Sequence, residues 1–433
     1  MITREEYDVF TSSTRQKRLE WFKDARFGMF IHYGPYSVGG MGEWEMYTQN
    51  MDIGDYEKLA KQFKPAENCT DLWCQTAKNA GAKYVVMTTR HHDGFSLWNS
   101  KTNPYNLYNY TGRDLVKEFV ESCRKYGLKI GLYSSLMDWH HPDGWKCATD
   151  EEARKRFTKY IEDLNVELLS NYGKIDILWY DMSFPLKTST LWDSVNRNYK
   201  LRQLQPDLLI NNRSKMPEDF FTPEESNDPK PDDPGGYFEA CMTFNKISWG
   251  YINEEQAKKF NYSSQQIARM LTICTKKGGN FLLNIGPRPD GTLPEDDKNE
   301  IEKVGKWLEK NGSSIYGDSV RNPEIQACGN CVTIGSSTAD GKSAYLYNLI
   351  WPNNGEIVIG GYINPPSKIT CVSDGRQIKF RKENHRFVMY DLPSKPIDDV
   401  LGLTVFKLEF DEPIKCCPAS HYPHMRDGIP YQD

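Results

Sequence analysis

The sequence predicts an α/β protein in which a TIM-like (β/α) barrel is followed by an antiparallel β-sandwich. Three observations lead to this prediction. Short apolar runs alternate with amphipathic stretches through the first three-quarters of the chain. The apolar runs are continuous, as in parallel strands that are covered on both faces. The helical pattern ends near residue 335. We therefore expect a barrel domain over residues 1–330 and a sandwich domain over residues 331–433 of the 433-residue chain.

The barrel strands are predicted from apolar runs that each end in polar residues. In the clearest run, Tyr84, Val85, Val86 and Met87 stand together and a polar loop follows. A continuous run of this length between polar loops is typical of a buried strand. The six segments with this pattern are residues 26–34, 82–95, 129–144, 174–183, 207–214 and 278–291.

Amphipathic segments between these runs are predicted to be helices. Residues 113–127 carry one apolar stripe and end at Gly127, a suitable residue for a helix stop. Residues 150–173 begin with acidic residues and end at Gly173. The same pattern recurs in residues 265–279 and 296–312. Alternating strands and helices fit either a barrel or an open doubly wound sheet. We favour the barrel because the GxGxxG or GxxxxGK[ST] turn expected of the open sheet does not occur here.

The last quarter of the chain is predicted to be a β-sandwich. Its apolar runs are short, are separated by Gly, Pro, Asn and Asp, and contain no helical stripe. This pattern is typical of antiparallel strands in two packed sheets. The predicted strands are residues 343–351, 355–363, 367–374, 376–390 and 403–410.

Composition excludes several classes of protein. The chain has 54 Lys and Arg against 59 Asp and Glu, and a net charge of −5 argues against nucleic acid as its main partner. No apolar run is long enough to span a membrane, and the N-terminus lacks a secretory signal. The 11 cysteines without such a signal predict reduced thiols and a cytoplasmic location. Aromatic residues make up 13% of the chain, which suits either sugar binding or a Trp-rich core.

Polar residues that follow the predicted strands are expected to meet at one rim of the barrel. The carboxyl ends of parallel strands lie at the same end of a barrel, where catalytic residues of this fold gather. Several residue types suited to binding and catalysis occupy such positions. They are His32, His91, His92, Trp139, Asp181 and Arg213.

Eight motifs in order between residues 15 and 320 carry a family resemblance. They are WFKDARFGMFIHYGPYSV, GEWEMY, TRHHDGFSLW, YSSLMDW, ILWYDMS, INNR, SWGY and GGNFLLNIGPRPDGTLP. With these motifs the chain resembles the α-L-fucosidases of glycoside hydrolase family 29. The resemblance implies a retaining exo-glycosidase that releases terminal L-fucose from fucosylated oligosaccharides and glycoconjugates, and it leaves transglycosylation open. It implies no metal and no organic cofactor.

Asp181 is predicted to be the nucleophile of the two-carboxylate reaction that the resemblance implies. It ends the apolar run over residues 175–180, which places it at the carboxyl end of a strand. It also matches the Trp-x-Asp motif of the family. An aspartate that only caps the following loop is the structural alternative.

The acid/base is predicted to be Glu224, with Glu239 as the alternative. Glu224 lies in the loop after the LLINNR run and resembles the acid/base position of several family members. Glu225 is its neighbour and a rival for the same role. Glu239 matches a glutamate that precedes the SWGY motif. The acid/base should have a raised pKa, since it must be protonated near the working pH.

The remaining predicted site residues would hold the sugar. His32, His91 and His92 match family residues that contact fucose hydroxyls. A His-His pair could also bind metal, but no HExxH or Cys/His framework accompanies it. Arg213 is expected to hold either the nucleophile carboxylate or a hydroxyl. The other substrate-binding predictions are Glu43 (with Glu45 as its rival in register), Trp44, Tyr133, Trp139 and Trp249, the last on the methyl side of fucose.

Two other functions fit the same residues. A non-catalytic fucose-binding protein would keep the pocket without turnover. A different retaining glycosidase could also use the scaffold, because a fold does not determine a substrate. The irregular stretch over residues 416–433 further leaves open a homo-oligomer in which a neighbouring chain completes the rim.

Overall fold

The computed structural model describes residues 2–226, 236–317, 319–320, 333–360, 362–383 and 386–415. The chain forms two compact units, Met1–Tyr262 with Asn280–Glu302, and Ser263–Gly279 with Lys303–Asp433. The predicted boundary between residues 330 and 331 and the irregular tail over residues 416–433 lie outside the described residues. Within the described ranges, every helix is too short or too polar to cross a membrane.

The first unit contains parallel strands in all six predicted segments, and one further strand, over Glu239–Met242, that was not predicted. They are β1 (Phe27–Ile31), β2 (Tyr84–Arg90), β3 (Lys129–Ser135), β4 (Ile177–Asp181), β5 (Leu209–Ile210), β6 (Glu239–Met242) and β7 (Asn280–Ile285). Every residue of β1, β2 and β7 is buried, which explains why the sequence shows continuous apolar runs there. The sheet order is β5-β4-β3-β2-β1-β7-β6, and all of its pairings are parallel.

An irregular segment, residues 219–225, closes this sheet into a barrel; we name it the closing segment. On one side, Asp219 N donates to Ile210 O at 3.0 Å. On the other side, Cys241 N donates to Pro223 O at 3.0 Å, and a parallel bridge joins Glu224 to Cys241. The closing segment therefore takes the place of an eighth strand between β5 and β6, and the predicted (β/α) barrel is confirmed.

Helices alternate with the strands along the chain, and each of the four predicted helical segments is found with its ends within three residues of the predicted ones. The helix over Leu115–Tyr126 begins after Asp114, whose side chain accepts from Lys117 N, and ends at Gly127 with φ of +67°. Its apolar stripe is buried, as the pattern predicts. The helices are α1 (Arg4–Ala25), α2 (Tyr36–Gly39), α3 (Glu45–Thr48), α4 (Ile53–Ala60), α5 (Cys69–Asn79), α6 (Leu107–Thr111), α7 (Leu115–Tyr126), α8 (Glu151–Asn171), α9 (Ser194–Leu204), α10 (Glu254–Ala257), α11 (Ser264–Lys276) and α12 (Glu295–Asn311).

Aromatic and aliphatic side chains together fill the barrel interior. Phe30, Tyr84, Tyr133 and Trp179 pack together there, and Phe22 of α1 joins the same cluster. Tyr133 and Trp179 are stacked, with ring centroids 5.7 Å apart. The barrel is therefore a packed core, and only the space beyond the carboxyl ends of its strands is free for a ligand.

The second unit contains two antiparallel sheets. Its strands are β8 (Ser319–Val320), β9 (Thr333–Thr338), β10 (Ser343–Asn348), β11 (Ile357–Gly360), β12 (Lys368–Cys371), β13 (Phe380–Glu383), β14 (Arg386–Met389) and β15 (Thr404–Glu409). One sheet has the order β12-β15-β10-β9-β8 and the other β11-β14-β13. Leu346 and Phe406 of the first sheet pack with Ile359 and Phe387 of the second. This arrangement confirms the predicted sandwich, in which the single strand predicted over 376–390 is the antiparallel pair β13 and β14.

Candidate active site

A cavity lies at the carboxyl ends of the barrel strands. Its volume, counted out into its open mouth, is about 490 Å³. Nine of the twelve predicted site residues line it, and Glu43, Trp139 and Glu239 do not. The lining residues are Phe30, His32, Trp44, His91, His92, Tyr133, Trp179, Asp181, Met182, Arg213, Glu224, Cys241 and Trp249.

Asp181, the last residue of β4, is held by hydrogen bonds to both carboxylate oxygens. Oδ1 accepts from Arg213 Nη1 and from the backbone N–H of Met182, each at 2.7 Å. Oδ2 accepts from Tyr133 Oη at 2.8 Å. Met182 has a φ of +50°, which is uncommon for a residue other than glycine, and in this conformation its N–H donates to the preceding side chain. The carboxylate therefore has one defined orientation in the cavity.

The charge state of Asp181 follows from two opposing effects. Burial acts to raise its pKa, but the positive charge of Arg213 and the hydrogen bonds from Tyr133 and Met182 act in the other direction. The net result is a pKa below the usual value for aspartate. Asp181 is thus an ionised carboxylate at neutral pH, as a nucleophile must be.

Arg213 connects Asp181 with Glu224. Its Nη1 donates to Asp181 Oδ1 at 2.7 Å and its Nη2 donates to Glu224 Oε2 at 2.8 Å. Its Nε donates to Thr222 Oγ1 at 2.8 Å, and the guanidinium lies over the Trp179 ring. Of the two contacts predicted for Arg213, the structure shows the one with the Asp181 carboxylate. One planar group thus sets the spacing of two carboxylates in the cavity wall.

Glu224 and Glu225 point to different surroundings. The Glu224 side chain is 45% exposed and lines the cavity. Glu225 has a φ of +50°, and its Oε1 accepts from Thr243 N at 2.6 Å. Glu225 is also absent from the cavity wall. The reversal of the backbone at Glu225 therefore gives the two neighbouring carboxylates separate positions.

Glu239 lies in the barrel interior, at the first residue of β6. It accepts hydrogen bonds from Trp179 Nε1 at 2.8 Å and from Tyr84 Oη at 2.5 Å. Burial raises its pKa to about 7, although these two hydrogen bonds act to lower it. The site lies at the other ends of the strands, so Glu239 supports Trp179 from within the barrel rather than facing the cavity.

The hydrogen-bond partners of His32 determine which of its ring nitrogens carries a proton. Asn284 Nδ2 donates to Trp249 O at 2.6 Å, which leaves Asn284 Oδ1 to accept from His32 Nδ1 at 2.6 Å. Burial lowers the pKa of His32 to about 3, so the ring is neutral. A neutral ring with a proton on Nδ1 offers Nε2 as a hydrogen-bond acceptor.

The same reasoning applies to His92. The Ser135 hydroxyl donates to Met137 O at 2.6 Å, and it therefore accepts from His92 Nδ1 at 2.7 Å. Burial lowers the pKa of His92 to about 4. His92 Nε2 is then an acceptor that lies 3.8 Å from Asp181 Oδ2. A sugar hydroxyl bound here would donate its single proton to one of these two acceptors.

His91 completes the group of neutral imidazoles. It stacks on Tyr133 with ring centroids 5.6 Å apart and an angle of 11° between the rings. Burial lowers its pKa well below the usual value, and within the described part of the chain its Nδ1 has no hydrogen-bond partner. One ligand atom each of His91, His92 and Asp181 lie within 4.8 Å of one another. Arg213 already neutralises Asp181, so this set suits sugar hydroxyls better than a metal cation.

Glu43 holds the loop that carries Trp249. Its Oε2 accepts from Ser248 Oγ at 2.7 Å, from Trp249 N at 2.9 Å and from Gly250 N at 2.7 Å. Trp249 in turn lies beside His32, with ring centroids 5.3 Å apart. Glu43 therefore positions a wall of the cavity. Its rival Glu45 is buried and is also absent from the lining.

Trp139 supports the site from behind Trp44. The two rings meet edge to face with centroids 5.2 Å apart, and Trp139 also contacts His92 at 5.4 Å. Trp44 lines the cavity, whereas Trp139 lines a separate groove beside it.

Sequence reasoning missed four lining residues, which are Phe30, Trp179, Met182 and Cys241. Strand alternation could have found two of them. Phe30 precedes His32 by two positions and Trp179 precedes Asp181 by two, and residues at this spacing share one face of a strand. Met182 and Cys241 carry no comparable signal, because their positions depend on the loop after β4 and on the closing segment.

Comparison with known proteins gives consistent results. Residues 1–313 match the family described as alpha-L-fucosidase. The chain is 29% identical to human tissue alpha-L-fucosidase over 425 residues, which cover 87% of this chain and 85% of the human protein. It is similar in structure to alpha-L-fucosidase isoenzyme 1 from Paenibacillus thiaminolyticus, with a TM-score of 0.83, 31% identity and coverage of 92% of this chain and 100% of that chain. Thermotoga maritima alpha-fucosidase gives a TM-score of 0.77 and 26% identity, with coverage of 93% and 98%.

Proposed function

The chain belongs to the alpha-L-fucosidase family of glycoside hydrolases, and on this premise we propose that it removes terminal α-L-fucose from fucosylated oligosaccharides and glycoconjugates with retention of configuration. One observation carries the proposal. Asp181 and Glu224 accept hydrogen bonds from the same guanidinium, that of Arg213, in the wall of one cavity. A retaining glycosidase needs two carboxyl groups roughly 5–5.5 Å apart, and a shared guanidinium supports a spacing of that order.

The proposed reaction has two steps. In the first, an Asp181 oxygen forms a bond to the anomeric carbon while the glycosidic bond breaks, and Glu224 gives its proton to the leaving oxygen. In the second, Glu224 takes a proton from water as the water oxygen attacks the anomeric carbon, and the ester to Asp181 breaks. The lowered pKa of Asp181 supports its role as the nucleophile. The exposure of Glu224 supports proton exchange with water between the two steps.

Neutral imidazoles and aromatic rings suit the proposed sugar. The Nε2 atoms of His32 and His92 are acceptors for sugar hydroxyls. We assign the space between His92 Nε2 and Asp181 Oδ2 to the hydroxyl on the carbon next to the anomeric carbon, since the nucleophile must lie beside that position. Phe30 and Trp249 offer apolar surface for the methyl group of fucose.

The test is hydrolysis of 4-nitrophenyl α-L-fucopyranoside, followed by proton NMR. We expect α-fucose to appear first. The Asp181→Asn variant should lose activity by about 10³-fold or more. The Glu224→Ala variant with azide should yield the α-fucosyl azide, whereas Asp181→Ala with azide should yield the β-anomer. The Asp8→Asn variant, at an exposed position of α1, is the matched control.

Three results would overturn parts of this proposal. Undiminished activity of Asp181→Asn would remove the nucleophile assignment. A faster reaction with an aryl galactoside than with the aryl α-L-fucoside would point to a different glycosidase. Binding of L-fucose in calorimetry without turnover of any glycoside would favour a fucose-binding protein.

A further inference from the structure

An apolar groove lies next to the cavity in the barrel unit. Its exposed rings are Tyr47, 60% exposed, and Trp145, 46% exposed, and the buried Trp139 also lines it. Ile53 adds further exposed apolar surface. Exposed apolar surface that is concentrated in one groove marks an interaction site. We call this feature, with its lining residues Met46, Tyr47, Asn50, Met51, Asp52, Ile53, Gly54, Trp139 and Trp145, the aromatic groove.

The aromatic groove is continuous with the cavity through Trp44. Trp44 lines the cavity, and its ring lies 5.7 Å from Tyr47 and 5.2 Å from Trp139 in edge-to-face contacts. Tyr47 and Trp139 are themselves stacked at 5.8 Å with an angle of 30° between the rings. A ligand that leaves the cavity past Trp44 therefore meets a row of aromatic faces.

The loop after the proposed nucleophile approaches the same groove. Phe184, three residues after Asp181, is 50% exposed and meets Trp145 edge to face at 5.7 Å. Met182 lines the cavity and also packs on the apolar cluster that contains Met46 and Trp139. The aromatic groove is thus joined to the reacting centre from two sides.

We propose that the aromatic groove binds the carbohydrate aglycone, the part of the substrate to which fucose is attached; this rests on the proposed function. Flat aromatic rings stack on the C–H faces of sugars, and Asn50 and Asp52 supply polar atoms for sugar hydroxyls. The groove is open along one side, and its volume counted out into solvent is about 1520 Å³, against about 490 Å³ for the cavity counted in the same way. It therefore has room for more than one sugar. The charge of Asp52 disfavours an anionic aglycone.

The experiment compares two substrates in variants of the exposed rings. One substrate is α-L-fucosyl fluoride, whose leaving group is a single atom and cannot reach the groove. The other is whichever of 2′-fucosyllactose and 3-fucosyllactose the wild-type protein cleaves faster. For Tyr47→Ala and Trp145→Ala, kcat/KM for the trisaccharide should fall by roughly 5- to 10-fold each. The value for the fluoride should change by less than about 2-fold.

Matched variants separate ring stacking from general damage. Tyr47→Phe and Trp145→Phe keep an aromatic face and should retain most of the activity on the trisaccharide. Phe260→Ala removes an exposed ring outside the groove and should leave both substrates unaffected. An equal fall for both substrates, or no fall for the trisaccharide, would overturn the proposal.

A binding measurement makes the result independent of catalysis. Lactose, the fucose-free aglycone, should show saturation-transfer NMR signals with the wild-type protein that disappear with Tyr47→Ala/Trp145→Ala. If this difference appears but fucosyl fluoride is not hydrolysed, the proposed function fails and the groove assignment stands. If the fluoride is hydrolysed but lactose gives equal signals with both proteins, the groove assignment fails.

Discussion

The guanidinium of Arg213 lies over the indole of Trp179, 4.9 Å from the ring centroid. Trp179 Nε1 donates to Glu239 Oε1 at 2.8 Å, so a buried carboxylate fixes the indole and the indole supports the guanidinium. Arg213 then holds Asp181 and Glu224. The reacting groups are therefore oriented by a continuous set of contacts that reaches into the barrel core, and each contact can be tested separately.

Replacing Arg213 with methionine should impair both the alignment and the ionisation of Asp181. We expect kcat/KM for α-L-fucosyl fluoride to fall by about 10²-fold or more. Arg213 acts to lower the pKa of Asp181 against burial, so the acid limb of the pH profile should move to higher pH in the variant. Arg213→Lys keeps the positive charge but not the planar guanidinium, and it should move the acid limb of the pH profile by a smaller amount. An unchanged acid limb in Arg213→Met would contradict the electrostatic role.

Replacing Glu239 with alanine should destabilise the fold more than it changes the chemistry. The variant leaves Trp179 Nε1 and Tyr84 Oη buried without an acceptor, at a cost of about 1–3 kcal/mol for each group. Urea unfolding measures this loss. Glu239→Gln retains a hydrogen-bond acceptor and should keep activity within about 10-fold of wild type. If Glu239 were the acid/base, this variant would lose activity by about 10²-fold or more and would recover it in azide. Such a loss with azide recovery in Glu239→Gln would transfer the acid/base role from Glu224 to Glu239.

Glu239 also predicts a pH dependence of stability. Burial raises its pKa to about 7 in the folded protein, from the ordinary glutamate value of 4.5. Between pH 4.5 and 7 the unfolded chain loses this proton and the folded protein keeps it, so its contribution to the free energy of unfolding declines as pH rises. The stability of wild type relative to Glu239→Gln should therefore decrease by up to about 3 kcal/mol across this interval and stay level above it. A difference that is constant with pH would be incompatible with a protonated Glu239.

Asp219 should be essential for anchoring the closing segment. Its carboxylate accepts from Arg18 Nη2 and Arg202 Nη2, each at 2.7 Å, and from the backbone N–H of Ile210 at 3.0 Å. The side chains of Asp219 and of both arginines are buried. Asp219→Asn would remove the carboxylate partner of the buried Arg18 guanidinium, whereas Arg202 keeps its ion pair with Glu218, and breaking a buried pair costs about 3–5 kcal/mol. Asp8→Asn breaks an exposed pair with Arg4 and should leave urea unfolding unchanged. Equal midpoints for both variants would argue against an anchoring role.

The imidazoles of the site should remain neutral under mildly acidic conditions. Burial lowers the pKa of His32 to about 3 and that of His92 to about 4. ¹⁵N NMR at pH 5.5 should show both rings as neutral forms with the proton on Nδ1, hydrogen-bonded to Asn284 and Ser135. His140, which is partly exposed beside Glu57, serves as the comparison in the same spectrum. Charged rings at His32 and His92 at this pH would contradict the acceptor roles proposed for their Nε2 atoms.

Much of the fold and of the site could be predicted from local patterns. The barrel strands are buried on both faces, so β2 and β4 stand out as apolar runs, and Asp181 is recognisable as the polar residue that ends one of them. The closing segment, which takes the place of an eighth strand, could not be predicted in this way. The closing segment contains Pro223 and is joined to its neighbours by isolated bridges, so it has neither strand length nor apolar continuity.

Other positions depend on contacts between segments that are distant in sequence. Glu239 is two residues before Cys241, and both side chains belong to β6, yet only Cys241 lines the cavity. The buried position of Glu239 follows from its bonds to Trp179 and Tyr84, which no local pattern reveals. In the same way, Trp139 follows a strand as predicted but packs behind Trp44, because Trp44 occupies the place beside the cavity.

The two carboxylates of the proposed reaction lie on segments of different regularity. Asp181 ends a regular strand with paired neighbours on both sides, whereas Glu224 belongs to the closing segment. A nucleophile must meet the same carbon of the same sugar in every catalytic cycle. The proton donor must reach an oxygen whose direction changes with the linkage and later a water molecule. A nucleophile at the end of a regular strand combined with a proton donor whose side chain is 45% exposed would let one fucose pocket serve aglycones of different shape.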